Sequence, residues 1–286
     1  MRDEGRMQSW MHPLRDRVIR FATLALATAR GFASPRRRFA LLRAGGYWIA
    51  LGLFLSDPLA ARERPLLDSL IDNWGGSVSM TSDYVYRGVS LSRGRAAIQG
   101  GLHAGVGSHL SGGVWVSTVE NQRDEGTPLE TSGFLAYAWQ PKIDWSVRAA
   151  WTHYVYFGRP SQVTYDYDEL AVSLAYQSRW VVGVAWMPNA EVFRYPEGRK
   201  QASAAAADFS WAQPVIGAWS ATAGAGYYDV SDLYDTGYAY WHAGFTGSVG
   251  PCELDLLYID SDHHATRIYG QSITGTRWSA ALRWRF

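Results

Sequence analysis

The residues of this chain that could do chemistry sit at two-residue spacing inside apolar stretches. Near the C-terminus Arg277, Ser279, Arg283 and Arg285 alternate with Trp278, Ala280, Leu282, Trp284 and Phe286. Earlier, Asp83 and Arg87 stand four apart within S-D-Y-V-Y-R-G. Arg95, Gln99 and His103 follow in the polar phase of the next stretch, and Glu130, Arg148 and Glu169 occupy the polar phase of later ones. Two-residue spacing puts side chains on one face of a strand. A face carrying three arginines cannot meet a dry core, because a buried unpaired charge is too costly. It suits a watery, ion-paired lumen, where rings of charge set ion selectivity. The same residues can instead pair across strands and plug a narrow barrel. The lumen or constriction candidates are therefore Asp83, Arg87, Arg95, Gln99, His103, Glu130, Arg148, Glu169, Arg277, Arg283 and Arg285, with Asp83 and Arg87 expected on one strand and one face.

Hydrolysis of lipid is the competing chemistry. It needs a Ser–His pair near a membrane interface, oriented by a third polar group. The chain contains no G-x-S-x-G, no Gly-rich phosphate loop and no zinc spacing. His103 belongs to the lumen face and His153 to the apolar face near a rim. His263 and His264 fall in an expected outer loop beside Asp260 and Asp262, where they could hold a metal or simply be solvated. The single cysteine, Cys252, excludes an intrachain disulfide and a cysteine metal cluster. No catalytic residue, metal or cofactor is expected. A lipid-modifying enzyme and a closed structural or interaction barrel stand as the alternatives.

The elements that must position these residues are strands. Twelve alternating segments recur, at about 76–87, 95–107, 110–120, 129–140, 143–157, 163–177, 179–188, 201–212, 216–229, 238–249, 252–261 and 274–286. Short connections alternate with long polar ones, including Gly88–Gly94, Asn121–Pro128 and Asn189–Lys200. That sorting suits a transmembrane antiparallel up-and-down β-barrel with tight periplasmic turns and longer outer loops. Aromatic residues cap many of the apolar faces, as an interfacial girdle requires. In hydrocarbon every backbone N–H and C=O needs a partner, so the first strand must pair with the last.

Composition agrees. Fourteen Trp, 17 Tyr and 29 Gly in 286 residues suit an all-β barrel. No apolar run approaches the ~18 residues of a transmembrane helix. The net charge of +1 hides a basic leader of 10 arginines against 4 acidic residues before Ala61, and a mildly acidic body. That body gives no footprint for nucleic acid. Residues 1–60 read as a leader with an export signal. Arg36-Arg37-Arg38-Phe39 precedes a mostly apolar run Ala44–Leu55 and a small-residue exit near Ala60. Residues 61–74 read as a periplasmic lead-in and 75–286 as the barrel.

The segment Ser82-Asp83-Tyr84-Val85-Tyr86-Arg87-Gly88-Val89-Ser90, followed by Ala97-Ile98-Gln99-Gly100-Gly101, resembles the TorF family of porins, proteobacterial outer-membrane β-barrels of unknown substrate. Its pattern is approximately S-D-Y-x-Y-R-G-x-S-x-S, then P-A-x-Q-G-G, and this chain departs from it at Ala96. The resemblance covers about 45 residues and implies an exported barrel in the bacterial outer membrane. Trp284 and Phe286, closing an alternating strand, resemble the assembly signal of outer-membrane proteins. The partners this implies are outer-membrane lipid, the barrel-assembly machinery, and small solutes or ions.

Overall fold

A computed structural model describes residues 73–120, 129–157, 166–194 and 198–286. The leader and nearly all of the lead-in lie outside the described residues. The barrel strands are β1 (Asn73–Thr81), β4 (Ala97–Val106), β5 (Leu110–Thr118), β6 (Leu129–Lys142), β7 (Trp145–Phe157), β8 (Tyr167–Tyr176), β9 (Trp180–Arg194), β10 (Gly198–Ile216), β11 (Trp219–Asp229), β12 (Tyr238–Val249), β13 (Cys252–Ser261) and β14 (Arg277–Arg285). A two-stranded hairpin, β2 (Val85–Tyr86) with β3 (Val89–Ser90), and two short helices, α1 (Ser231–Tyr234) and α2 (His263–Tyr269), complete the elements. The twelve long strands form one closed antiparallel barrel in sequence order, and β1 pairs with both β4 and β14.

Alternation decides which way each side chain faces. Val78, Met80, Ile98, Leu102, Leu170, Val172, Trp180, Val182, Leu254, Leu256, Leu282 and Trp284 are all exposed on the outside. Ser77, Ser79, Ser117, Glu130, Arg148, Glu169, Ser173, Thr222, Thr246 and Asp255 are buried inside. This inverts the polarity of a water-soluble protein, which exposes few contiguous apolar patches. It is the distribution of a barrel whose outer wall meets lipid. No helix of the described residues is long and apolar enough to cross a membrane.

At one end the chain turns tightly, and φ is positive at Gly107, Gly217, Gly250, Gln177 and Ser178. The start of β1 and the end of β14 lie at this end. The longer connections gather at the other.

Two expectations about the elements are corrected. The first strand ends at Thr81 rather than at residue 87, and the chain then turns into the lumen as β2–β3. The expected loop Asn189–Lys200 is largely strand, with β9 and β10 pairing from Ala202 opposite Ala190 out to Gly198 opposite Arg194. About ten residues span a bilayer core, so this hairpin runs past the rim of the barrel. A register shift between Ala202 and Ala204 marks where it leaves. Pro188, which has no N–H to give a ladder, sits there, as a bulge allows.

The main apolar core lies inside the long-loop end. Met187, Val230, Tyr238 and Ala265 are almost wholly buried there, with Val89 of the hairpin and Leu233 of α1. Tyr238 meets Tyr228 and Tyr269 edge to face, with ring centroids 5.8 and 5.7 Å apart, a favourable aromatic geometry.

Candidate functional site: a hairpin seated in the lumen

The site begins with a turn. Val85 faces Ser90 and Tyr86 faces Val89 across β2–β3, so Arg87 and Gly88 are the two central residues. Both have positive φ, 49° and 76°, the sign pattern of the tight turn that matches strand twist. Glycine takes such a backbone freely and arginine does not. At Gly88 space also decides, because a Cβ would lie 2.7 Å from Tyr240 Cβ and 3.0 Å from Ser261 Cβ.

The turn drives Arg87 into the wall, where it is only 2% exposed. Its Nη2 donates to Glu169 Oε2 at 2.9 Å and its Nη1 to Met187 Sδ at 3.3 Å. The guanidinium lies over two rings, 4.7 Å from the centroid of Tyr86 and 4.8 Å from that of Tyr228. Tyr86 Oη donates to the same Glu169 Oε2 at 3.0 Å. Tyr228 Oη donates to Met187 Sδ at 3.3 Å. Beside them Tyr240 Oη donates to Asp208 Oδ1. Tyr240 reaches Asp208 because Gly226 lies between them in register, and a Cβ there would strike the Tyr240 ring at 2.4 Å.

The base of the hairpin is tied as firmly. Asp83 Oδ1 accepts from Ser90 Oγ at 2.5 Å and Ser92 Oγ at 3.0 Å, while Arg277 Nη1 donates to Oδ2 at 2.9 Å. The Asp83 carbonyl accepts from Thr81 Oγ1 and Ser279 Oγ, both at 2.8 Å. Tyr84 Oη donates to Glu130 Oε1 at 3.3 Å. Burial, reinforced by Glu130, holds the Tyr84 phenol well above its ordinary pKa. Burial does the same for Tyr86, with Arg87 opposing it and Glu169 adding to it. Both phenols therefore remain O–H donors at neutral pH. Ser90 N–H donates to the Ile273 carbonyl at 2.7 Å, which attaches the hairpin to the loop that carries α2.

The residues singled out from sequence separate into distinct places. Asp83 and Arg87 do not share a strand face; they belong to the inward hairpin, which brings them to Arg277 and Glu169. Arg95 is not in the lumen: its side chain is 75% exposed and pairs with Glu120 at 2.7 Å. Gln99 is on the inner wall, accepting from Ser79 Oγ and donating to Ser117 Oγ, each at 3.3 Å. His103 lies inside near the short-turn end, against Gly75. Arg283 and Arg285 converge on Glu253 Oε2 at 3.1 and 2.7 Å, a second charged group remote from the hairpin. Arg148 is buried over the Phe134 ring at 5.6 Å, and its Nη1 and Nη2 have no hydrogen-bond partner among the described residues.

Other participants escape the sequence reading. Glu253 and Asp255 alternate with Leu254 and Leu256 on β13, the same signal that found Arg283 and Arg285, and were findable. Asp208 is a lone carboxylate in an alanine-rich strand, and Met187, Tyr228 and Tyr240 read as girdle or core. Only the three-dimensional arrangement brings them to Arg87.

Of the two outer-loop histidines, His264 is committed locally. Asp262 accepts from the backbone N–H groups of His264 and Ala265 at 2.9 and 3.2 Å, capping α2. Asp260 accepts from Ser261 N–H and from Thr276 Oγ1. His264 Nδ1 lies 2.6 Å from Arg267 Nη2 and 3.1 Å from Thr236 Oγ1. A ring nitrogen accepting from arginine is not free to act as a base toward that hydroxyl. No group of three or more His, Cys, Asp or Glu suited to a metal occurs among the described residues.

A closed twelve-stranded barrel with a polar interior and an apolar exterior defines the structural class, and the sequence match defines the family. Residues 73–284 match a family described as a bacterial protein of unknown function (Gcw_chp), and the chain belongs to that family. No curated protein matches it. Among solved structures it is similar to the NanC porin, at 11% identity and a TM-score of 0.48, covering 74% of this chain and 98% of that one. It is similar also to the KdgM porin, at 6% and 0.46, covering 74% and 98%. OmpF of Salmonella typhi, solved with daunomycin, follows at 9% and 0.40, covering 74% and 96%. At these values the overlaps assign no function.

Proposed function

We propose that this protein is an outer-membrane barrel of porin type, in which small solutes or ions cross through the polar lumen and the inward hairpin closes the long-loop end. The observation that carries this reading is the inverted polarity of a closed barrel. Exposed apolar side chains form the outer wall, and hydroxyls and charges line the inner one. Tight turns at one end and long loops at the other fit periplasmic and external ends respectively. Export through the periplasm, and uptake of the aromatic strand β14 by the barrel-assembly machinery, belong to the same proposal. No reaction is assigned.

A second reading, a permanently closed structural or interaction barrel, is favoured by one set of contacts. The ion pairs Arg87–Glu169 and Arg277–Asp83 tie the hairpin across the lumen. The two readings separate in a planar bilayer. The full chain is expressed and purified from the outer membrane, and its folding is checked by heat-dependent gel mobility. The porin reading expects conductance steps that scale with salt, small or rare in the parent protein and larger in Arg87→Ala. A folded Arg87→Ala barrel that remains silent supports the closed barrel instead.

A further inference from the structure

The contacts around Arg87 are those of a ligand in a binding site. Five adjacent strands each contribute one group: Glu169 from β8, Met187 from β9, Asp208 from β10, Tyr228 from β11 and Tyr240 from β12. Three of them touch the guanidinium directly. Glu169 supplies a carboxylate at 2.9 Å, Met187 a thioether sulfur at 3.3 Å and Tyr228 a ring face at 4.8 Å. Asp208 adds a second carboxylate, held in place by Tyr240. None of the five carries positive charge. A planar guanidinium suits this combination of carboxylate and ring face better than a small hydrated ion does. The occupant comes from a hairpin that is not part of the barrel wall, is attached at its base, and bears its arginine on a backbone of positive φ.

We propose that this wall site is a seat for an organic cation, a guanidinium or comparably delocalised ammonium solute, and that Arg87 is its tethered occupant in the closed barrel. The idea rests on the porin reading only in that a solute must reach the lumen. A free cation of this class competes with Arg87 for Glu169 and the Tyr228 face, and the displaced hairpin leaves the mouth open. Because the competitor is tethered, displacement requires millimolar ligand or more.

The probe is methylguanidinium chloride, with potassium chloride at equal ionic strength as control. In Arg87→Ala the seat is vacant, and ~10 mM methylguanidinium is expected to raise the melting temperature in detergent by about 4 °C. In Arg87→Ala/Glu169→Gln it should do nothing beyond potassium. An equal response of the two variants, or none in either, overturns the seat. Parent protein covers the case in which the variants do not fold. Amide hydrogen exchange over residues 84–91 should rise severalfold with methylguanidinium and not with potassium, and unchanged exchange there overturns the displacement. These readouts require no conduction, so a silent bilayer counts against the porin reading without touching the seat.

Discussion

Arg87 is the most consequential single residue. Its guanidinium is buried, paired with Glu169 and in contact with the faces of two tyrosine rings. Breaking a buried pair from one side leaves the other charge uncompensated, at roughly 3–5 kcal/mol. Arg87→Ala is therefore expected to destabilise the closed state by about that much, seen as an earlier heat-dependent mobility shift on gels. Arg87→Lys should recover only part of the loss, because an ammonium lacks the planar fork and stacks less well. Arg148 is the opposite case. Its two terminal nitrogens are buried without partners among the described residues, so Arg148→Met should be neutral or stabilise the barrel by about 1 kcal/mol or more. A fall in melting temperature in that variant would mean that an unseen partner satisfies the guanidinium.

Among the elements, the β2–β3 hairpin is where sequence pattern and structure part. Period-two alternation continues through Tyr84 and Tyr86 as though the first strand did, yet the strand stops at Thr81. The pattern records that two faces differ and not which environments they meet. In β1 the apolar face meets the outside. In the hairpin Tyr84 and Tyr86 turn their hydroxyls to Glu130 and Glu169 inside the barrel. The residues behind the family resemblance are thus the ones that seat the hairpin: Asp83 at its base, Tyr84 and Tyr86 along it, Arg87 and Gly88 at its turn. Gly88→Ala tests the element as a unit. Positive φ and the 2.7 Å approach to Tyr240 Cβ together predict a loss of about 2 kcal/mol or more. The variant should reproduce the conductance of Arg87→Ala although every charge is intact. Gly88→Ala channels identical to the parent protein's would show that the hairpin does not close the lumen.

For the whole molecule the decisive contact is the seam between β1 and β14. Phe286 N–H donates to the Gly76 carbonyl at 3.0 Å and Gly76 N–H to the Phe286 carbonyl at 2.9 Å, continuing the ladder one residue beyond β14. The Phe286 ring lies over Gly76, where a Cβ would come within 2.8 Å of it, and is tilted at 45° to the Trp284 ring with centroids 5.4 Å apart. An unpaired edge in hydrocarbon costs several kcal/mol for each lost hydrogen bond. Deleting Phe286 should therefore lower the yield of inserted, heat-modifiable barrel while export is unchanged. Gly76→Ala should weaken the same seam more mildly. Normal insertion of the truncated chain would remove Phe286 from any role in closure or assembly.

The barrel was legible in the order of residues alone. The strand count, the inward and outward phase of the long strands, and the pairing of first strand with last all follow from a two-residue period and from the need to satisfy every backbone polar group in lipid. It also offered Asp83, Arg87, Glu169 and Arg277 as candidates for the lumen face. Which residue pairs with which emerged with the folded barrel. Arg87 meets Glu169 82 positions away and Asp83 meets Arg277 194 positions away, and no local pattern encodes separations that barrel closure creates. It likewise removed Arg95 from the lumen to the rim and assembled Met187, Asp208, Tyr228 and Tyr240 around a guanidinium. Alternation fixes the face a side chain takes, while its height in the barrel and its partner across the lumen depend on register and on a loop folding inward.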